Sequence, residues 1–197
     1  YCIMAVSDAQ VASTKKLNSI SKVGPWGKNT TTNINTNELT PMDVSISNIQ
    51  KYNPLVHHIT NEVVTNFSAN VTIAIGGSPI MSQLTEDFKD LKKISHASFV
   101  LNTGTFTESS IPIHAAAIKE YNSASVPIVY DPVGCGATVA RRKYMETLTN
   151  SGHYFSVIKG NSGEILTAAG VEIDMKGCDA IEKEDTAAIL IKAAKEL

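Results

Sequence analysis

The feature that most limits the folds open to this chain is an alternation. From Leu55 onward, short apolar runs of strand length take turns with stretches of helical period. The runs are Leu55 to His58, Phe99 to Leu101, Val126 to Tyr130 and Phe155 to Ile158. Helices are expected over 43–51, 63–75, 86–94, 110–121, through 144–148, and over 162–169 and 185–196. In the second of these, Val63, Val64, Phe67, Val71, Ala74 and Ile75 fall on the spacing of one helix face, and Thr60 or Asn61 can cap it. Val126 to Tyr130 is apolar throughout, as in a strand covered on both faces of a parallel sheet. Alternation of this kind predicts an α/β fold with a mostly parallel sheet.

Upstream the pattern is different. Cys2 to Val6 reads as a buried strand, and Asp8 to Ile20 as a turn followed by a helix. Residues 29–37 are Asn or Thr except Ile34, and Gly24, Pro25 and Gly27 precede them. Such a stretch cannot bury an apolar face, which predicts a solvated linker. The chain lacks an initiator Met, opens in a strand-like run and closes on an amphipathic helix. Both ends are read as cut, so that a longer parent is expected.

Composition excludes several classes. With 43% hydrophobic and 18% charged residues, the chain can build a core and is not a disordered polyelectrolyte. A net charge of -2 argues against a general nucleic-acid binder. No apolar run reaches the length of a membrane span. Cys2, Cys135 and Cys178 are an odd, scattered set, which suits a reducing cytoplasm.

In open α/β sheets, ligands gather at the carboxyl ends of the strands. Four clusters fall there: VHHITN, LNTGT, YDPVGCGAT and IKGNSGE. In DPVGCGAT, Asp131 ends a buried strand where a carboxylate can sit near a metal ion. Gly134 and Gly136 allow close backbone approach to an anion. Thr138 can cap the next helix, and Arg141 and Arg142 add fixed positive charge. An ordinary βα turn explains the same residues. In KGNSGE, Asn161 and Glu164 can face one hard cation such as Mg²⁺, or form a capping box. His57 and His58 are adjacent on a strand, so they point to opposite faces and cannot share a metal; one packed and one exposed is expected. Cys135 has no placed base to activate it and is expected to be inert. Met81 can line an apolar pocket or pack in the core.

These segments resemble the hydroxyethylthiazole kinase family. The resemblance lies in NPLVHHITNEVVTNFSANVTIAIGGSPIM (Asn53 to Met81), LNTGT, DPVGCGAT with Arg141 behind it, and KGNSGE, in that order, and covers roughly residues 50–197. It implies a ribokinase-like layered α/β fold, ATP and Mg²⁺ as cofactors, and transfer of the γ-phosphate to the alcohol of 4-methyl-5-(2-hydroxyethyl)thiazole. It also implies homotrimers with active sites at subunit interfaces. By residue it implies that Asn61, Val63 and Met81 line the thiazole pocket. Arg141 contacts ATP, Asp131 and Gly134 lie in the phosphate-side loop, and Asn161 and Glu164 stand near Mg²⁺ and phosphate. Lys159 stands where many relatives carry Arg. CIMAVSDAQVASTKKL resembles the last strand and helix of the (β/α)₈ thiamine-phosphate synthase barrel, with Val6 and Ser7 at the thiazole phosphate. A synthase fused upstream of a thiazole kinase is the arrangement found in fungi. The implied division is 1–25 barrel remnant, 26–42 linker and 43–197 kinase part. The family's Gly-Thr/Ala-Gly-Cys catalytic loop does not occur in the sequence, so the isolated chain is expected to lack turnover. Other readings are a ribokinase-like kinase of another small heteroaromatic alcohol, such as hydroxymethylpyrimidine, or a non-catalytic ligand-binding or assembly module.

Overall fold

The computed structural model describes residues 3–6, 20–23, 29–32, 41–150, 152–171, 175–176 and 179–180. The readings at Ser7, over 8–19 and over 185–196 lie outside the described residues. Strand β1 is Ile3–Val6, followed by β2 (Ile20–Val23) and β3 (Asn29–Thr32). Helix α1 (Pro41–Tyr52) leads into β4 (Leu55–Ile59), α2 (Thr65–Ile75) and β5 (Ser78–Ile80). Helix α3 (Phe88–Leu91), β6 (Ser98–Asn102), α4 (Ile111–Ser123) and β7 (Ile128–Asp131) follow. Next come α5 (Val139–Thr149), β8 (Val157–Gly160), α6 (Ser162–Ala168), and the short pair β9 (Met175–Lys176) and β10 (Asp179–Ala180).

The main sheet has the order β1-β8-β7-β6-β4-β5. The five strands from β8 to β5 are parallel, and β1 pairs antiparallel on the β8 edge. This is the α/β sheet that the alternation predicts. The chain steps from β4 outward to β5, then reverses to β6, β7 and β8 on the other side. The reversal makes β4 the switch point, where a crevice opens beyond the strand ends.

Both faces of the sheet are covered, and this corrects the reading of the histidine pair. His57 is fully buried against Phe88, Phe99 and Tyr121, and His58 is also buried, on Thr72 of α2. Opposite faces do not mean one wet face in a parallel sheet. Three elements differ from expectation. Helix α3 is a single turn that buries Phe88 and Leu91 and leaves Ile94 exposed. Strand β5 is not among the expected strands; it contains Pro79, which is tolerated because β5 is the edge of the sheet. Asn29–Thr32, inside the stretch read as linker, pairs antiparallel with Ile20–Val23, and the Thr run suits a pleated strand.

Helix α2 departs from its pattern in a different way. Its apolar stripe does not go into the core: Val63 is 84% exposed, Phe67 70% and Val71 42%. The core lies instead between the sheet and α4, α5 and α6, built on Phe99, Leu101, Ile118, Tyr121, Ile128, Met145, Leu148 and Ile165. Among the described residues, no helix is long and apolar enough to cross a membrane.

Candidate functional site

Four adjacent parallel strands, β4, β6, β7 and β8, deliver the four polar clusters to one edge of the sheet. Pairing register then decides which side chains meet. Asn102, the last residue of β6, stands opposite Asp131, the last residue of β7. Its amide Nδ2 donates to Asp131 Oδ2 at 2.8 Å. Lys159 Nζ, from β8, reaches the same oxygen at 2.9 Å. The other oxygen, Asp131 Oδ1, is buried and has no hydrogen-bond partner.

On the opposite side, Asn61 follows β4 and is buried. Its Oδ1 accepts from the backbone N–H groups of Val63 and Val64 at 3.0 and 3.2 Å. This closes the turn over 62–64 that leads into α2; the helix itself starts at Thr65 with Val64 as its N-cap and no side-chain cap bond, so neither Thr60 nor Asn61 caps it as expected. Its Nδ2 donates to Asn102 Oδ1 at 2.7 Å, and Gly104 N–H donates to the same oxygen at 3.0 Å. The close approach explains the glycine. A Cβ on residue 104 would lie 2.9 Å from Asn61 Nδ2. Met81, just past β5, is half-buried. Its neighbour Ser82 is pinned from below: His57 Nε2 lies 2.8 Å from the Ser82 carbonyl, and its Nδ1 lies 2.7 Å from Tyr121 Oη. A carbonyl only accepts, so Nε2 carries the proton and Tyr121 donates to Nδ1. Burial, above all, pushes the His57 pKa down, which keeps the ring neutral.

The phosphate-side loop is built around Glu164. Its Oε1 accepts from Gly134 N–H and its Oε2 from Asn161 N–H, both at 2.8 Å. Asn161 Oδ1 accepts from Glu164 N–H at 2.9 Å, completing a capping box. The capping alternative is therefore present, and the Gly134 N–H is engaged by Glu164. Gly160 is needed beneath it, since a Cβ there would meet Glu164 Cβ at 2.8 Å. Burial raises the Glu164 pKa, and the two N–H bonds act against that.

Arg141, in the first turn of α5, points back into the strand-end loops. Its guanidinium donates to the carbonyls of Thr103, Val133 and Gly104 and lies 5.1 Å over the Phe106 ring. It thus bolts the loop after β6 to the loop after β7. Cys135 is buried and unpaired, and burial pushes its thiol up to about 12, so it carries no thiolate at neutral pH. The structure brings Asn61, Asp131, Gly134, Arg141, Asn161 and Glu164 to one sheet edge. Val63 lies in the turn just before α2 and is exposed, and Val6 belongs to β1, paired with Val157 of β8. Asn102, Thr103 and Gly104 lie in the LNTGT cluster marked in the sequence, but the sequence assigns them no individual role, and it gives no sign of the His57–Tyr121 contact. Only the β6–β7 register, invisible without the fold, brings Asn102 to Asp131.

The hydroxyethylthiazole kinase family profile matches residues 46–197. The chain belongs to this family. It is 44% identical over 135 residues to the hydroxyethylthiazole kinase of Histophilus somni, covering 68% of this chain and 50% of the relative. It is 41% identical over 150 residues to a probable thiamine biosynthetic bifunctional enzyme of Schizosaccharomyces pombe, covering 76% of this chain and 28% of that enzyme. Among solved structures, hydroxyethylthiazole kinase protein from Pyrococcus horikoshii matches with a TM-score of 0.59 and 34% identity, over 64% of this chain and 49% of that one. The chain thus spans about half the length of the single-function family members it matches, and less of the bifunctional ones.

Proposed function

We propose that the protein to which this chain belongs phosphorylates 4-methyl-5-(2-hydroxyethyl)thiazole with ATP and Mg²⁺ in thiamine biosynthesis. In a fused parent the product would then be joined to hydroxymethylpyrimidine diphosphate, giving thiamine phosphate. The observation that carries the reading is the bare, buried Oδ1 of Asp131, set between Lys159 and the Asn61 side of the site. In the reaction the substrate hydroxyl oxygen bonds to the γ-phosphorus while the bond to the ADP oxygen breaks and the hydroxyl proton is released, giving the phosphate ester, ADP and a proton. Such a transfer depends on positioning and on neutralising charge.

The residues fit Mg²⁺ of the kind that is held chiefly by phosphate oxygens and water. No cluster of three or more carboxylate, His or Cys side chains among the described residues makes an all-protein cage. One bare carboxylate oxygen is what such a site needs. When bound, the ion would shield the triphosphate charge. Asp131 Oδ1 would face it, with the Asn161–Glu164 capping box beside it. Lys159 keeps a cation beside the phosphates. Arg141 holds the two loops in place and contacts ATP through its remaining N–H groups. Asn61, Val63 and Met81 form the thiazole side.

We place the kinase part at 43–197, after a linker at 26–42 and a synthase remnant at 1–25 with Val6 and Ser7 at the thiazole phosphate. The family match beginning at residue 46 supports the kinase boundary. We also propose a homo-oligomer, a trimer by resemblance. The exposed Val63–Phe67–Val71 stripe supports it, because it leaves the thiazole side open until a second copy covers it. The test is direct. The full-length parent, given ATP, Mg²⁺ and the thiazole alcohol, should yield the phosphate ester by mass spectrometry. Turnover of hydroxymethylpyrimidine but not of the thiazole would refute the reading.

A further inference from the structure

The three amide and carboxylate groups at the sheet edge form a relay with a fixed direction. Backbone N–H groups of Val63 and Val64 occupy Asn61 Oδ1, so Asn61 must present its NH₂ to Asn102. Gly104 N–H occupies Asn102 Oδ1 together with that NH₂, so Asn102 must present its own NH₂ to Asp131. Neither amide can flip without setting donor against donor. The polarity is thus imposed at two points by backbone groups, which have no rotational choice. The relay runs from the start of α2 to a charged carboxylate, across the ends of β4, β6 and β7. A charged acceptor at one end strengthens each link.

Asn102 is the centre of this relay, because its side chain hydrogen-bonds to both ends, Asn61 and Asp131. With Lys159 it holds Asp131 Oδ2, and so it fixes which carboxylate oxygen is left bare. We infer that Asn102 is a positioning residue that couples the thiazole side of the site, at Asn61, to the phosphate side, at Asp131. The inference rests on the kinase reading for what binds at each end, but not for the relay itself. Any change in the charge or position of Asp131 should be felt at Asn61, and the feeling should pass through Asn102.

A double-mutant cycle tests it. Calorimetric titration of the thiazole alcohol would be run on the 197-residue chain and on Asn102→Ala, Asp131→Asn and the double variant. Asn102→Ala should weaken binding about tenfold, the equivalent of one well-placed hydrogen bond to a charged network. Asp131→Asn should weaken it about threefold, since the link to Asn102 becomes neutral. The double variant should be no worse than Asn102→Ala. A loss near thirtyfold, the product of the two, would mean independent sites and would overturn the inference. Asn102→Ser replaces the alanine variant if urea unfolding shows the latter to be poorly folded. In parallel, the side-chain amide resonance of Asn61 should move on Asp131→Asn in the wild-type background and stay still when residue 102 is Ala. Movement in both backgrounds would overturn the relay. Absence of thiazole binding by the wild-type chain would count against the kinase reading alone, and the amide cycle would then decide the relay.

Discussion

Gly104→Ala isolates a single steric contact at the centre of the site. Gly104 does not have a left-handed backbone, so alanine meets no conformational penalty there. The cost comes entirely from its neighbour. The new Cβ would stand 2.9 Å from Asn61 Nδ2 and 3.1 Å from its Cβ and Cγ. Ordinary contact begins near 3.4 Å, so Asn61 must retreat by several tenths of an ångström. It cannot do so freely, because its amide is held at both ends, at 2.7 Å by Asn102 and at 3.0 Å by Val63 N–H. Overpacking a held side chain costs about 1–3 kcal/mol, and the stiffer unfolded chain returns about 0.4–1 kcal/mol. The net loss should be about 1–2 kcal/mol, or roughly 2–8 °C in Tm for a domain of this size. Gly152→Ala is the matched control: φ is +74° and nothing lies within 4 Å, so only the backbone is strained. That strain costs about 1–2 kcal/mol, less the same unfolded-state return. The two variants should therefore lose similar stability by urea unfolding, yet only Gly104→Ala should weaken thiazole binding, by about tenfold, as a lost hydrogen bond would. A Gly104→Ala chain as stable as wild type, with unchanged thiazole affinity, would refute the reasoning.

Four further outcomes are expected. Burial pushes the His114 pKa from 6.5 to about 4, so the folded form binds fewer protons than the unfolded between those values. Stability should therefore be complete above about pH 6.5 and fall as pH drops toward 4, by about 3 kcal/mol at about 1.36 kcal/mol per pH unit; His114→Phe should flatten that part of the urea-midpoint profile. Arg141→Lys cannot fork across the carbonyls of Thr103, Gly104 and Val133, and should cost about 1–2 kcal/mol, with faster hydrogen exchange in the loops after β6 and β7. Cys135, buried with its thiol pushed up to about 12, should resist iodoacetamide in the native chain and react once urea unfolds it. Phe67→Asp, on the exposed stripe, should reduce self-association in sedimentation velocity while leaving the urea midpoint within about 0.5 kcal/mol of wild type, because a 70% exposed side chain supports little of the core.

Much of the fold is legible because local rules and tertiary structure agree. The apolar run at Val126 to Tyr130 and the helix expected over 110–121 each find one way to bury themselves, while only the middle of α5, 144–148, is legible. Thr138 caps α5 through a hydrogen bond to Arg141 N–H, as its position suggests. The misreadings arise where context overrides the local rule. Pro79 argues against a strand unless the strand is an edge. The stripe on α2 looks like a core face and is left outside, because burial depends on what packs against it and not on spacing. In the site, residue types were visible but their partners were not. Asn161 and Glu164 are three apart, so their mutual bonds could be foreseen. Asn61, Asn102 and Asp131 are separated by tens of residues and meet only through strand order and register.

That register has a consequence for how such a chain can vary. Asn102 and Asp131 are partners because β6 and β7 are aligned residue for residue from Phe99 and Ile128 upward. Side chains alternate between faces along a strand, so removing one residue from either would turn its last side chain to the wrong side of the sheet. Val100 or Val129 can change identity within the limits of packing. The number of residues before each strand end cannot change, and insertions or deletions in descendants of this sequence should collect in the connections between strands and helices, leaving the strands themselves at constant length.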